Sequence, residues 1–589
     1  MLLYIHCMHI RYGLVVMILV LAKAYTVFGQ ASNIQITNPV AERILRGDFD
    51  TNEFPAGDPL VIEDEWAQLL IDQLEPDSLK QYLLDLSAFG NRNTGSDTSS
   101  SSFGMGAARR WAAARMEEFS ALNDNRLQVG YIQFDQNVCG MTQHRNVLGV
   151  LPGSGIYAGE VILIEAHMDS RCAVECDGDC PASGMEDNGS GVALVLELAR
   201  VMSQYSFGRS IAFMLTTGEE QGLIGAEAFA DYCVTNEVKL RAVQNNDIVG
   251  GVICGQTASP PGCPGLNEVD SINVRLYSNP GSHKNFARYT KNAYDTRVAP
   301  LLAHPSIINL MSAEDRTGRG GDHIPFRRAG YTAIRFTSAN EHGDANVADP
   351  DYEDRQHTSD DVLGLDTDGD SVLDSFFVDF RYLSRNALIN GFVAGLVSTA
   401  PEPPQDLMLD RIDSRVGIQI TDSLQRDSFT LGVRLTSSSA LWDTLIRVAA
   451  IDTIILDRDR WSIAVAYVDE RGISSLYEHE RTVRVLVSNT NEVVPEDEAV
   501  ELLPNYPNPF DEATLLRVFV NRQLSVRAGF LVVHDRTGKQ LVQLPIDLSP
   551  GLHEVLYDFS NHNYLQGIYS YSLVVEGQIL ATRQMVYAY

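Results

Sequence analysis

The chain has 589 residues, 44% of them hydrophobic, with 45 Lys and Arg against 77 Asp and Glu and a formal net charge of −32. That length exceeds one ordinary domain and predicts several, while the hydrophobic share permits large cores. So large a deficit of basic residues excludes nucleic acid as a partner, because phosphates are held by Lys and Arg in excess; it suits a soluble extracellular protein or one adapted to salt.

The N-terminus carries Arg11, an apolar run over 13–22, then smaller and polar residues to Gln30. That order reads as an export signal over 1–30, which places the protein outside the cell or on its surface. The run is shorter than the roughly 20 residues that cross a bilayer. No later stretch is apolar enough, so no transmembrane span is expected in the mature chain. Cys7 would leave with the signal, and the seven remaining cysteines predict disulfides with one thiol left over. Cys254 and Cys263 flank a Pro/Gly turn and are plausible partners. Cys172, Cys176 and Cys180 share one loop without the paired spacing of a structural zinc site, so local disulfide bonding is expected there. Residues 31–64 are polar and read as an irregular pro-segment or linker.

From 65 to 398, apolar strand-like runs (161–164, 211–216, 248–254, 272–277, 332–336) alternate with helix-like stretches such as 191–204 and 283–293. This alternation predicts an α/β domain with a mostly parallel central sheet flanked by helices. Ligands of such folds bind at the carboxyl ends of the strands. In VILIEAHMDS, His167 and Asp169 stand two apart, on the same side of extended backbone. Asp169 can therefore hold the far ring nitrogen of a metal-binding His167. In GMEDNGSG, Asp187 precedes a glycine-rich helix entry, and its two oxygens could bridge two cations. The strand 211–216 delivers Glu219 and Glu220 to the same sheet edge. Asp247 heads the run NNDIVGGVIC, and His357 lies in RQHTSDD with Asp361 four residues on.

The series AHMDS, MEDNGSG, TGEEQGL, NNDIVG, GGDHIPF and QHTSDD resembles the secreted co-catalytic zinc aminopeptidases of metallopeptidase family 28. The resemblance implies two zinc ions, one on His167, Asp187 and Asp247 and the other on Asp187, Glu220 and His357. It implies Glu219 as general base and then general acid in peptide hydrolysis, and a cis peptide at Asp187–Asn188. Asp322 and His323 match a motif beside the substrate pocket. Many relatives carry a tyrosine before the last histidine; Gln356 stands there in this chain. The expected activity is removal of N-terminal residues from peptides. Two other readings on the same fold are a carboxypeptidase, whose cationic pocket could draw on Arg316, Arg319, Arg327 and Arg328, and a glutaminyl cyclase. A third is a non-catalytic surface-binding protein.

Downstream, DTDGDSVLD sets Asp366, Asp368, Asp370 and Asp374 at positions one, three, five and nine of a loop. That spacing suits one calcium ion, although Phe377 stands where a bidentate glutamate is expected. PEPPQ at 401–405 is a stiff linker. Short β runs follow at 416–420, 429–435, 444–448, 461–468 and 482–487, a β-sandwich pattern over 399–488 that resembles fibronectin type III modules. An acidic linker over 489–500 leads to a last β-rich block, 501–589. There LLPNYPNPF, VVHDRTGKQLV, GLHEVLYDF and LQGIYSYSLVVEGQILATRQMVY resemble the C-terminal sorting domain of bacterial type IX secretion cargo. That resemblance implies export through the periplasm and a partner in the bacterial secretion machinery.

Overall fold

The computed structural model describes residues 30–59, 63–255, 261–263, 265–316, 319–340, 355–412, 415–436, 441–456, 460–477, 480–485, 500–510, 513–521, 526, 528–535, 539–559, 564, 567–575 and 578–588. The export signal, apart from Gln30, and the acidic linker, apart from Val500, lie outside the described residues. Two compact units are present, one to Val487 and one from Ser488.

The first unit is built on a nine-stranded sheet among the described residues. Its strands are β1 (Ser32–Ile36), β2 (Gln128–Val138), β3 (Met141–Leu151), β4 (Glu160–His167), β5 (Ser210–Thr216), β6 (Lys239–Asn246), β7 (Asn273–Tyr277), β8 (Ile307–Leu310) and β9 (Ala333–Ser338). Their order across the sheet is β1-β2-β3-β5-β4-β6-β9-β7-β8. β5, β4, β6 and β9 run parallel at the centre. β1, β2 and β3 add antiparallel, so the sheet is mixed rather than mostly parallel. The tight Cys139–Gly140 turn folds β2 back onto β3, and a hairpin can only pair antiparallel.

β4 is buried on both faces, which is why EVILIEAH reads as an almost continuous apolar run. Ile162, Ile164 and Ala166 face helices α2 (Glu63–Gln73), α3 (Pro76–Ser87), α4 (Gly104–Leu122), α5 (Ser190–Met202) and α9 (Phe380–Thr399). Val161 and Leu163 face α1 (Pro39–Leu45), α6 (Ile224–Thr235) and α8 (His323–Arg328). A further helix, α7 (Ser282–Ala293), packs Phe286 and Ala287 into the first of these cores.

Residues 31–64 are not the irregular segment that their polarity suggested. β1 is hydrogen-bonded along β2. α1 begins at the Asn38 cap, whose side chain accepts from the amides of Val40 and Ala41, and it buries Ala41, Ile44 and Leu45 completely. Only Ile36, Ala41, Ile44 and Leu45 of this stretch are buried in the core, with Ile34, Val40, Phe49 and Phe54 packed against it, and the polar residues between them concealed the pattern. Ile44→Ala is expected to lower stability by about 2–5 kcal/mol, read as a shift in the denaturation midpoint. A removable pro-segment would show no such shift.

The predicted strand 248–254 is also absent. The strand lies earlier, at β6, and 248–254 makes isolated bridges at Gly251 and Ile253. β6 ends in Gln244, Asn245 and Asn246, all buried. Gln244 and Asn246 side chains donate to the carbonyls of Asn390 and Glu165, which lets amides occupy a position where an apolar run would be expected.

After α9, the strands Asp406–Ile412, Arg415–Thr421 and Ile451–Ile455 form one sheet. Thr444–Ala449, Ser428–Leu435, Arg460–Ala466 and Arg481–Arg484 form a second. Leu407, Val416, Ile418, Phe429, Leu431 and Ile463 fill the space between them. In the second unit, a three-stranded and a four-stranded antiparallel sheet enclose Phe510, Phe559, Tyr569, Tyr571 and Tyr587. The chain is thus an α/β domain followed by two small all-β sandwiches. No helix among the described residues is long and apolar enough to cross a membrane.

Candidate metal centre

Three strand ends converge on one site. β4 ends at His167, whose Nδ1 donates to the Asp169 carbonyl oxygen at 3.0 Å. Its Nε2 then faces Asp187 Oδ1 at 3.2 Å and Asp247 Oδ1 at 3.3 Å. β5 ends at Thr216 and turns through Glu219 and Glu220. Asp247 directly follows β6 rather than heading a strand. Asp187 lies in the turn that enters α5, and the Asp187–Asn188 peptide is cis. Gly191 is required in that turn, because a Cβ there would collide with the Asn246 carbonyl and the Asn188 amide. His357, at φ +58°, sets its Nε2 3.0 Å from Asp187 Oδ2 and 3.2 Å from Glu220 Oε2.

The six residues form two groups, His167 with Glu219 and Asp247, and Asp187 with Glu220 and His357. Within each group the donor atoms lie within 4.8 Å of one another. Asp187 turns one oxygen toward each histidine, the posture of a carboxylate shared between two cations. Glu220 Oε1 is buried without a hydrogen-bond partner, an arrangement costly for a carboxylate unless a cation meets it. Imidazole nitrogens and carboxylate oxygens in this ratio suit zinc, so the donor set fits the group. Burial disfavours a charged His167, but Glu219, Asp247 and Asp187 outweigh that and hold its pKa well above the usual value. Burial also raises the Glu219 carboxyl, against the pull of His167.

Several residues that hold this arrangement were not visible in the motifs. Arg92 is fully buried, its pKa lowered to about 10 by burial. Its guanidinium donates to the carbonyls of Met168 and Gly184, both at 2.8 Å, and of Ser183, tying the β4 end to the Asp187 turn. Arg335, also fully buried, pairs with Asp247 at 2.9 Å and with Asp315 at 2.7 Å. Arg171 donates to Glu220 at 2.7 Å. The available signal was a lone cation inside an apolar strand (TAIRF) or beside a motif (MDSR).

Asp169 acts differently from expectation. Its backbone carbonyl, not its carboxylate, holds His167 Nδ1, since the carboxylate stays 3.7 Å away. The chain leaves the extended conformation at His167, and the two Asp169 oxygens turn instead to the amides of Glu219 at 3.2 Å and Glu220 at 3.1 Å. Burial raises this carboxyl to about 6. Asp169→Ala would leave two buried amides unpartnered and free the turn that carries both glutamates. A fall of about 10- to 100-fold in metal affinity or activity is expected, measurable by chelator competition.

Asp361 accepts from the amides of Glu186 and Asp187 at 2.8 and 3.0 Å, and burial lifts its pKa to about 7. Asp322 accepts from Thr216 Oγ1 at the end of β5 and is likewise raised to about 7 by burial. His323 meets the Glu314 carbonyl at 3.1 Å, and burial lowers it to about 4. Gln356 donates to Asp187 Oδ2 at 2.9 Å, so its amide rests on the shared carboxylate. In the acidic loop, Asp366, Asp368 and Asp374 cluster and are exposed. Asp370 is not in that group; its carboxylate accepts from the Val372 amide at 2.8 Å, as an ordinary turn aspartate does. The disulfides are Cys139–Cys176, Cys172–Cys180 and Cys254–Cys263, with Cys233 free and buried.

Paired histidine and carboxylate sets at the carboxyl ends of a central sheet, with a carboxyl group beside them, define a metallohydrolase site. The model of peptidase family M28 matches residues 146–369. A "probable zinc metalloprotease" of Pyricularia oryzae is 30% identical over 369 residues, covering 58% of this chain and 68% of that one. Another, of Leptosphaeria maculans, is 28% identical over 435 residues, covering 70% and 95%. The chain belongs to peptidase family M28 and is a zinc metallopeptidase. Among solved structures, the Legionella pneumophila aminopeptidase LapA superposes with a TM-score of 0.40 at 18% identity, covering 57% of this chain and 75% of that one. The Fimbriiglobus ruber glutaminyl cyclase gives 0.37 at 17%, covering 55% and 95%.

Proposed function

We propose that this peptidase is an aminopeptidase working with two zinc ions, one on His167, Asp187 and Asp247 and one on Asp187, Glu220 and His357. The observation that carries the reading is Asp187, with one oxygen toward each histidine. Zinc held there would acidify an attacking water and polarise the scissile carbonyl. Glu219 takes the proton from that water and returns it to the departing amine. Asp169 fixes the Glu219 amide during both transfers.

The charge distribution supports an amino- rather than a carboxypeptidase. Two of the four cations that could receive a terminal carboxylate are engaged elsewhere, Arg316 on Asp315 and Arg327 on Glu314. Both donor sets are complete, which a single-ion cyclase would not need. The test is hydrolysis of aminoacyl reporter peptides against their acetyl-blocked and carboxyl-terminal counterparts. Free-amine substrates alone should turn over; equal cleavage of blocked ones would overturn the exopeptidase reading.

The protein is also read as exported. Three disulfides are what an oxidising compartment permits. The 399–488 sandwich is read as a fibronectin type III-like module, and 501–589 as a sorting domain recognised by type IX secretion machinery. A reporter fused to 501–589 should then reach the surface of a type IX-secreting bacterium. One calcium ion is assigned to Asp366, Asp368 and Asp374; calorimetric titration with Ca2+ after Asp368→Ala, which should abolish the heat, tests it.

A further inference from the structure

Arg171 follows the β4 strand end and reaches across the Asp187, Glu220 and His357 group. Its Nε donates to Glu220 Oε2 and its Nη2 contacts His357 Nδ1, both at 2.7 Å. A guanidinium has donors only, so this contact is a hydrogen bond only while His357 Nδ1 carries no hydrogen, and His357 Nε2 lies on the other side of the ring, 3.0 Å from Asp187 Oδ2. A neutral imidazole that coordinates an ion through Nε2 carries its hydrogen on Nδ1, where it would confront the Nη2 hydrogen at 2.7 Å. Metal-binding histidines give their other N–H to an acceptor; here a donor stands in that place. Guanidinium at Nδ1 and metal at Nε2 therefore exclude one another. His167 carries no such conflict, since its Nδ1 already donates to a carbonyl.

We propose that Arg171 is an internal counter-cation that competes with the ion of the Asp187, Glu220 and His357 group and withdraws when that ion binds. The inference rests on the two-ion reading above. The guanidinium pairs with Glu220 at 2.7 Å and, beside His357, offsets the charge of a carboxylate buried next to Asp187. A place for withdrawal adjoins it. Nη1 is 3.3 Å from the Cys172 carbonyl and 3.5 Å from that of Ala173, and the Glu175 carboxylate also attracts the guanidinium. The disulfides Cys172–Cys180 and Cys139–Cys176 hold that loop in place. Asn93 and Gln221 donate to the Glu175 carbonyl, each at 2.8 Å.

The test is a titration of the full chain, stripped of metal, with Zn2+ in competition with a chromophoric chelator. Co2+ absorption reports coordination separately. Arg171→Met should tighten the weaker of two binding constants by about 10-fold or more and leave the tighter one in place, which also certifies the fold. Glu175→Gln, an exposed change that removes the negative charge drawing the withdrawn guanidinium, should move the weaker constant the opposite way. If Arg171→Met misfolds, Arg171→Lys replaces it; a lysine cannot span both partners and should tighten the same constant by less. An unchanged or looser weaker constant in the arginine variants overturns the proposal, as does movement of Glu175→Gln in the same direction as Arg171→Met. If neither wild type nor variants take up a second ion, the two-ion reading itself fails, and this inference falls with it. A second ion bound only by the arginine variants would be its strongest confirmation.

Discussion

Glu219→Gln is expected to retain metal content while lowering kcat by about 10²- to 10⁴-fold, the range for losing a positioned general base. The substitution keeps size and shape, so the β5 turn should persist with its amide still on Asp169 Oδ1. What it removes is a basic oxygen close to His167 and Asp247. Burial raises the Glu219 carboxyl and brings its proton affinity toward that of the water it must deprotonate. Because the glutamine still offers a carbonyl oxygen, substrate binding should change less than turnover. The deficit should therefore fall on kcat rather than KM. Activity near wild type in a protein of unchanged zinc content would remove Glu219 from the chemistry.

Asp187→Ala is expected to cost both ions and at least about 10³-fold in activity, since both cation-dependent effects are lost together. The reason is geometric. Asp187 is shared, with Oδ1 toward His167 and Oδ2 toward His357, whereas Asp247 and Glu220 each face one histidine. Asp247→Ala should accordingly weaken the His167 group and spare the other. Elemental analysis after dialysis separates the outcomes. If Asp187→Ala keeps one full zinc equivalent, Asp187 is not the bridge. The alanine also releases Gln356, whose amide rests on Asp187 Oδ2. Gln356→Ala is the control showing that loss of this contact alone does not strip metal.

The sequence was most legible where function and local structure coincide. His167, Asp187, Glu219, Glu220, Asp247 and His357 stand in short motifs of polar residues that interrupt apolar runs. Such interruptions at strand ends are conspicuous in one dimension. Strands β4, β5, β7 and β9 are readable because they are interior to the sheet and buried, which makes their sequences largely apolar. Reading failed where polar residues are buried. β6 ends in amides satisfied by carbonyls on β4 and α9, so in one dimension the neighbouring apolar run 248–254 looks more like a strand than β6 does. The edge strands Asp406–Ile412 and Ile451–Ile455 were missed because one face of each is exposed and their alternation is weak.

Sequence by itself determined the chemistry: which side chains could hold metal, and which carboxyl group could move a proton. Those properties belong to residue types and their order along the chain. Only the tertiary structure decided the electrostatic setting, because its partners lie far apart in sequence. Arg335 reaches Asp247, Arg171 reaches His357, and Arg92 joins the β4 end to the Asp187 turn. A buried charge is tolerated only beside its partner, and that partner is chosen by the fold.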